Sequence, residues 1–464
     1  MVPFFQLILK AIEAVFRSSQ PVQREERVDE AGGIRVLLAP VEGDASGEVV
    51  SGVYGILSGM QTFEVTRTDE AMPRVDDTEV LPSSLAGLVR KARQSAASHD
   101  AHLIICGHVT DSREFVRLRF IPARLDLDSV STVILSGDML EIPLSLTGME
   151  QLITLASLAS AYCDKDSTRR RRSDATRSLP QGVESLVGEG GGTLSLTGEA
   201  SVRLYYAASL ISAALRTDQK SLLQQSLSLT KDALAKGKDN LTAAQVAAAR
   251  SRFALASSEL AIRDEEFDKI EELVSHFRMS IETYPIELFP DENAFLNVQM
   301  AKALASLGQA TGKMPILRSA VDAYFEASKS WVKGWRSESW AEVQSGMGNI
   351  MVQIGEFSGN SEILGRAAQV FESASRVWTR EDYPKQWASL QNSIGACKFA
   401  NGKRTKNLPT LREALECFSQ ALEVYTAQGM EKNVIVTQKN IARVERVLGT
   451  QEGGGEPSGG EAAE

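Results

Sequence analysis

From Leu204 to Leu448 the apolar residues fall three and four apart almost without interruption, which is the spacing of one face of an α-helix. Between residues 34 and 163 the pattern is different and keeps changing. IRVLLAPVEG (34–43) and AHLIICGHV (101–109) are short continuous apolar runs and predict buried strands. TFEVTRT (62–68), FVRLRFIPARLD (115–126) and STVILSGDMLEIP (131–143) alternate and predict strands with two unlike faces. GEVVSGVYGILSGM (47–60), SSLAGLVRKARQSAA (83–97) and TGMEQLITLASLASAYC (147–163) have helical spacing. The last two open on Ser83 and Thr147 as caps, with Glu150 three residues beyond Thr147. The order β-α-β-α-β-β-β-α predicts a small α/β domain over 34–163, and the helical region after it predicts an all-α solenoid over 198–450.

The helical region repeats itself. SWAEVQSGMGNIMVQIG (339–355) returns as QWASLQNSIGACKFANG (386–402), and Gly308, Gly355, Gly402 and Gly449 are each 47 residues apart. Gln299, Gln344, Gln391 and Gln438 follow at 45, 47 and 47. A second phrase aligns Leu317, Leu364 and Leu411; Tyr324, Phe371 and Phe418; and Trp331, Trp378 and Tyr425. A fainter copy lies one period earlier at Ile270, Leu273, Phe277 and Tyr284, and residues 200–237 look like a diverged first copy or a capping pair. Each unit predicts two helices: helix A, ending at the glycine as a C-cap, and helix B, from the leucine to the tryptophan or tyrosine. Neither buries its apolar stripe alone, so stacked neighbours must form a continuous core.

Four stretches lie outside these patterns. In MVPFFQLILKAIEAVFR (1–17) the polar residues Gln6, Lys10, Glu13 and Arg17 share one helical face, and the rest is apolar. This predicts an amphipathic helix contacting a membrane or partner through Phe4, Phe5, Leu9, Ile12 and Phe16, or docked on its own domain. Residues 18–33 read as a polar linker, 164–197 as a flexible basic and glycine-rich linker containing Arg169 to Arg172, and 451–464 as a disordered tail.

The repeats resemble tetratricopeptide repeats, in a long-period bacterial form, with small residues at Gly348 and Gly395 in helix A and Ala320, Tyr324 and Ala327 in helix B. Residues 34–163 resemble the TolB amino-terminal-like domain, on VLLAPVEG and AHLIICGHV. The first resemblance implies binding of a protein or peptide on the concave face of the array.

Composition narrows the chemistry. The net charge of −10 argues against a nucleic-acid binder, which needs excess Lys and Arg to neutralise phosphates. Four separated cysteines form no CxxC pair and fit a reducing compartment. No run of 18 apolar residues predicts a spanning helix, and no cleavable signal is expected. His102, Cys106 and His108 would share one face of a strand, but a metal site is not expected there. Glycine-rich GEGGGTLSLTG (188–198) lacks the Lys-Ser/Thr of a phosphate loop. The four glutamines would cap loop backbone in each repeat or, if exposed, form an amide ladder for a peptide backbone.

The expectation is therefore a non-catalytic cytoplasmic adaptor, without cofactor, that binds a partner protein through the array. Two alternatives stand beside it. One is a sensor whose α/β domain binds a small ligand or nucleotide. The other is a scaffold held peripherally at the inner membrane by residues 1–17.

Overall fold

The computed structural model describes residues 32–75, 83–125, 134–163, 168, 171, 172, 174, 175, 183, 194–217, 219–237, 239–331 and 337–452. The expected helix at 1–17, the tail from 453 and most of the segments 18–33 and 164–197 lie outside them.

The amino-terminal part is a five-stranded mixed sheet: β1 (Ile34–Glu42), β2 (Phe63–Arg67), β3 (Leu103–Val109), β4 (Phe115–Pro122) and β5 (Leu140–Pro143), in the order β2-β1-β3-β4-β5. β1 runs parallel to β2 and β3, and β4 runs antiparallel to β3 and β5. Helices α1 (Glu48–Ser58) and α2 (Ser83–Ser98) make the parallel crossovers, and α3 (Glu150–Ser160) follows β5. The two strands written as continuous apolar runs, β1 and β3, are the central ones, covered on both faces. The predicted element order holds throughout. Two details differ. Residues 134–139 form a turn rather than the start of β5, with the Asp138 carboxylate accepting from the Leu135 N–H at 2.9 Å. Helix α3 is capped at Met149 with no side-chain cap bond, not at Thr147.

Among the described residues eleven longer helices follow. Six of them are 22 residues long: α4 (Leu196–Thr217), α6 (Ala243–Asp264), α8 (Pro290–Thr311), α10 (Ser337–Ser358), α12 (Pro384–Thr405) and α14 (Glu431–Glu452), each beginning 47 residues after the one before. These are the A helices. Between them lie the B helices α5 (Lys220–Lys236), α7 (Ile270–Thr283), α9 (Met314–Ser330), α11 (Ser361–Ala374) and α13 (Leu408–Ala427). The period thus reaches back to residue 196, and the diverged first copy is a full one.

Gly308, Gly355 and Gly402 are not the C-caps they were expected to be; they lie inside the A helices. The helices end in a left-handed residue further on, at Glu265, Gly312, Gly359 and Lys406 (φ 53–67°), again one period apart. The interior glycines serve close approach instead. A Cβ at Gly355 would lie 2.9 Å from Leu364, and one at Gly402 would lie 3.0 Å from Leu411. One level down, Gly348 and Gly395 meet the rings of Phe371 and Phe418 in the same way. Helices α10 and α12 are notched where α11 and α13 lean on them, which is why the two phrases recur together.

The described chain divides into two compact units at Gly312/Lys313, not at the expected 164–197 linker. The reason is a shared core. Val36, Leu38, Leu103, Ile105, Leu118 and Phe120 of the sheet form one buried cluster with Val202, Tyr205, Tyr206 and Ile211 of α4 and with Leu223 of α5. The ring of Phe120 meets that of Tyr205 edge-on at 5.8 Å. Each such side chain stabilises by roughly 1.5–3 kcal/mol on burial. Parts of the basic linker join in: Val183 is fully buried, and Arg172, expected in solvent, is 4% exposed and donates to the Ala161 carbonyl at 2.7 Å.

Candidate partner-binding face and a buried charge network

Within the second unit, successive A helices pack on one another, α10 on α12 and α12 on α14, more extensively than successive B helices do. The A helices thus form one continuous layer of this unit. Its open stripe uses the same helix positions in each copy: Glu342, Ser345 and Asn349 on α10; Ser389, Asn392 and Ala396 on α12; Val436, Lys439 and Arg443 on α14. All are half-buried except Lys439, which is exposed. The stripe is polar and mixed in charge, with an acid on α10 and two cations on α14. Neighbouring helices are tied across it, since the Asn392 side-chain oxygen accepts from Thr437 and Asn440 at 3.5 Å each. Such a surface offers amide, hydroxyl and charged groups to a ligand but no convergent acid, base or nucleophile.

The glutamines do not form a ladder on this face. Gln344, Gln391 and Gln438 are each the eighth residue of an A helix, but Gln299 is the tenth of its own. Two residues turn a helix by about 200°. The true counterpart of Gln344 in α8 is Asn297, whose amide donates to the Asn293 carbonyl at 2.9 Å. Gln299 and Gln344 are buried, Gln391 is half-buried and only Gln438 is exposed. Of the aromatic series, Trp331 and Tyr425 are 1% exposed, and Trp378 is half-buried against Phe371 and its neighbours. Phe4, Phe5, Leu9, Ile12 and Phe16 lie outside the described residues.

In the first unit the conspicuous chemistry is internal, and the sequence gave little notice of it. Asp138, in the turn before β5, receives Arg252 of α6 in a two-pronged ion pair, both N–O distances 2.7 Å. Both residues are almost fully buried. Burial opposes the charge of Arg252, but the attraction and hydrogen bonds of Asp138 outweigh it and hold the guanidinium pKa above its ordinary value. Arg119 of β4 is also buried and reaches the Gly137 carbonyl at 3.4 Å. Arg93 of α2 pairs with Glu292 at 2.6 Å and Asp291 at 3.3 Å, in the first turn of α8, where the helix dipole favours carboxylates. Three arginines and three carboxylates thus balance inside the junction of the sheet and the first A helices. Around them, burial first and the Asp138 carboxylate second push the hydroxyls of Tyr205 and Tyr284 well above their ordinary pKa. Arg117 of β4 adds a bond to Glu141 at 2.7 Å, and Glu141 also accepts from Ser195. The only signal of this network in the sequence is single charges set in apolar surroundings, as in LSGDML and AAARSRFALA.

Cys106 and His108 alternate onto one face of β3 and His102 immediately precedes the strand; all three are buried. The Arg35 N–H is bonded to His102 Nδ1 at 3.1 Å, and burial pushes the Cys106 thiol up from 9.0 to about 12. Among the described residues no three His, Cys, Asp or Glu side chains are grouped so as to hold a metal ion, and no helix is long and apolar enough to cross a membrane. No protein-family model matches this chain, and no curated protein is found to be similar to it.

Proposed function

We propose that the protein is a non-catalytic adaptor of bacterial, tetratricopeptide-like type, whose A-helix layer binds a partner protein or peptide. The observation that carries this reading is the periodic polar stripe on α10, α12 and α14, half-open and built from the same three helix positions in each. A recognition surface of this kind gains affinity by adding small contacts over successive repeats. The buried ion pairs of the first unit support it from the other side. They hold the α/β part to the first helices and use its charged groups structurally. The TolB-like part is then a platform rather than an enzyme, and the cytoplasm is its expected setting.

The test is affinity capture with the full-length protein, compared with a Ser345→Arg/Asn392→Arg/Ala396→Arg variant whose thermal unfolding matches the parent. A partner retained by the parent and lost by the variant, with the purified pair rebinding in solution, supports the reading. Equal retention by both proteins removes the stripe from the binding site.

A further inference from the structure

We infer that residues Met1–Arg17 dock on the outer face of α14 as the B helix that its repeat lacks. In α10 and α12 the positions Ala341, Gly348 and Gly355, and Ala388, Gly395 and Gly402, are buried under the following B helix. Their counterparts one period on, Ile435, Ala442 and Gly449, are all exposed. Ile435 is 52% exposed, and a Cβ at Gly449 would meet nothing within 4 Å. At Gly449 the notch made for a B helix is thus present among the described residues and uncovered, while at the level below Ala442 stands where α10 and α12 have glycine. Residues 453–464, GGGEPSGGEAAE, offer no apolar stripe for it, with no leucine, isoleucine, valine, methionine or aromatic residue among them.

The amino-terminal segment has what is needed. In the B helices a leucine seats on the second glycine, an alanine follows three residues on, and an aromatic four residues later seats one level down: Leu364, Ala367 and Phe371, then Leu411, Ala414 and Phe418. Leu9, Ile12 and Phe16 repeat this spacing. Run antiparallel to α14, as B helices run to A helices, the segment sets Leu9 over Gly449 and Phe16 over Ala442. Arg446, exposed between those two positions, then faces the side of the segment that carries Glu13, which gives charge complementarity as well. Docking in this register puts Leu9, Ile12 and Phe16 against protein instead of water or lipid; Ile435, a turn or two beyond the end of the segment, stays outside it.

The experiment uses the full chain with Leu9→Cys and Gly449→Cys, oxidised by copper phenanthroline; the four native cysteines are buried. The expected product is a monomer with one internal disulfide, formed at least tenfold faster than in a Gln6→Cys/Gly449→Cys control on the polar stripe. A rate no different from the control overturns the proposal, and so does a product that is entirely a cross-linked dimer. A second measurement does not depend on cysteine chemistry. Gly449→Ala should lower the melting temperature, because the notch is filled; a rise matching that of Gly365→Ala, where nothing lies within 4 Å of the added carbon, means that the face is empty. Flotation of most of the parent protein with phosphatidylglycerol vesicles would place the segment in lipid and also overturn the proposal.

Discussion

Asp138 has two duties: its carboxylate closes its own turn through the Leu135 N–H, and it takes both prongs of Arg252. Removing it takes both of these bonds from a buried guanidinium. Asp138→Ala should therefore cost about 3–5 kcal/mol, as expected when one partner of a buried ion pair is removed. The double variant Asp138→Ala/Arg252→Met should cost much less than the sum of the single changes, and urea denaturation of the four proteins measures that coupling. Cys106 gives a different signature. Its folded pKa is raised by burial, so the stability tied to the neutral thiol is complete below about pH 9 and is lost as pH rises toward about 12. Cys106→Ala should flatten this alkaline decline while lowering stability at neutral pH by a small constant amount. Urea midpoints between pH 8 and pH 11 decide it.

At the scale of elements, the repeat is a matter of which glycine touches what. A methyl group at Gly348 would lie 2.7 Å from the buried ring of Phe371, whereas Gly365, also helical, has open space around it. Gly348→Ala should destabilise by about 1–3 kcal/mol through overpacking, and Gly365→Ala should stabilise by up to about 1 kcal/mol through helix propensity alone. Opposite shifts in melting temperature from the same chemical change are the expected result. Trp331→Ala, at a fully buried position, should cost about 3–5 kcal/mol. Trp378→Ala should cost less, because its ring is already half in solvent.

Elements with a strong periodic signal were legible in the sequence, and the reasons for the misses are specific. β1 and β3 were found because continuous apolar runs between turn residues have few other readings. The A and B helices from 294 onward were found because their packing residues are written three times. The glycines were misassigned because Gly can end a helix or admit a neighbour, and at Gly355 only the neighbour, Leu364, decides between the two. The helix ends were hidden because the left-handed position holds Glu265 or Lys406 as readily as Gly312. Gln299 joined the wrong series because a matching letter two residues out of register has no visible flaw until helix starts are known. The charge network was illegible for a simpler reason: Asp138 and Arg252 are 114 residues apart, Arg93 and Glu292 are 199 apart, and no local pattern links them.

For the whole molecule, the shared core changes what can be cut away. A solenoid over 198–450 set off by a flexible linker at 164–197, as the sequence predicts, would fold alone. The burial of Val202, Tyr205, Tyr206 and Ile211 against the sheet indicates otherwise for the first helices. A fragment starting at 198 should lose helicity in proportion to α4–α6, and it should bind hydrophobic dyes. The parent should not show a separate early melting of the α/β part. Circular dichroism and dye fluorescence on the two proteins test this together; a fragment with full helicity and no dye binding would mean that the shared core is dispensable.

The equal spacing of the six A helices has a consequence for how such a gene can lengthen or shorten. Crossing-over between misaligned copies joins the start of one unit to the continuation of another. Because every A helix begins at the same interval, the product retains whole units, and each notched glycine still meets a leucine from a B helix. A gain or loss of one residue inside a helix turns each later residue of that helix by about 100° and separates the notches from the side chains that fill them. The number of units is thus open to change over generations, while the length of each is held fixed.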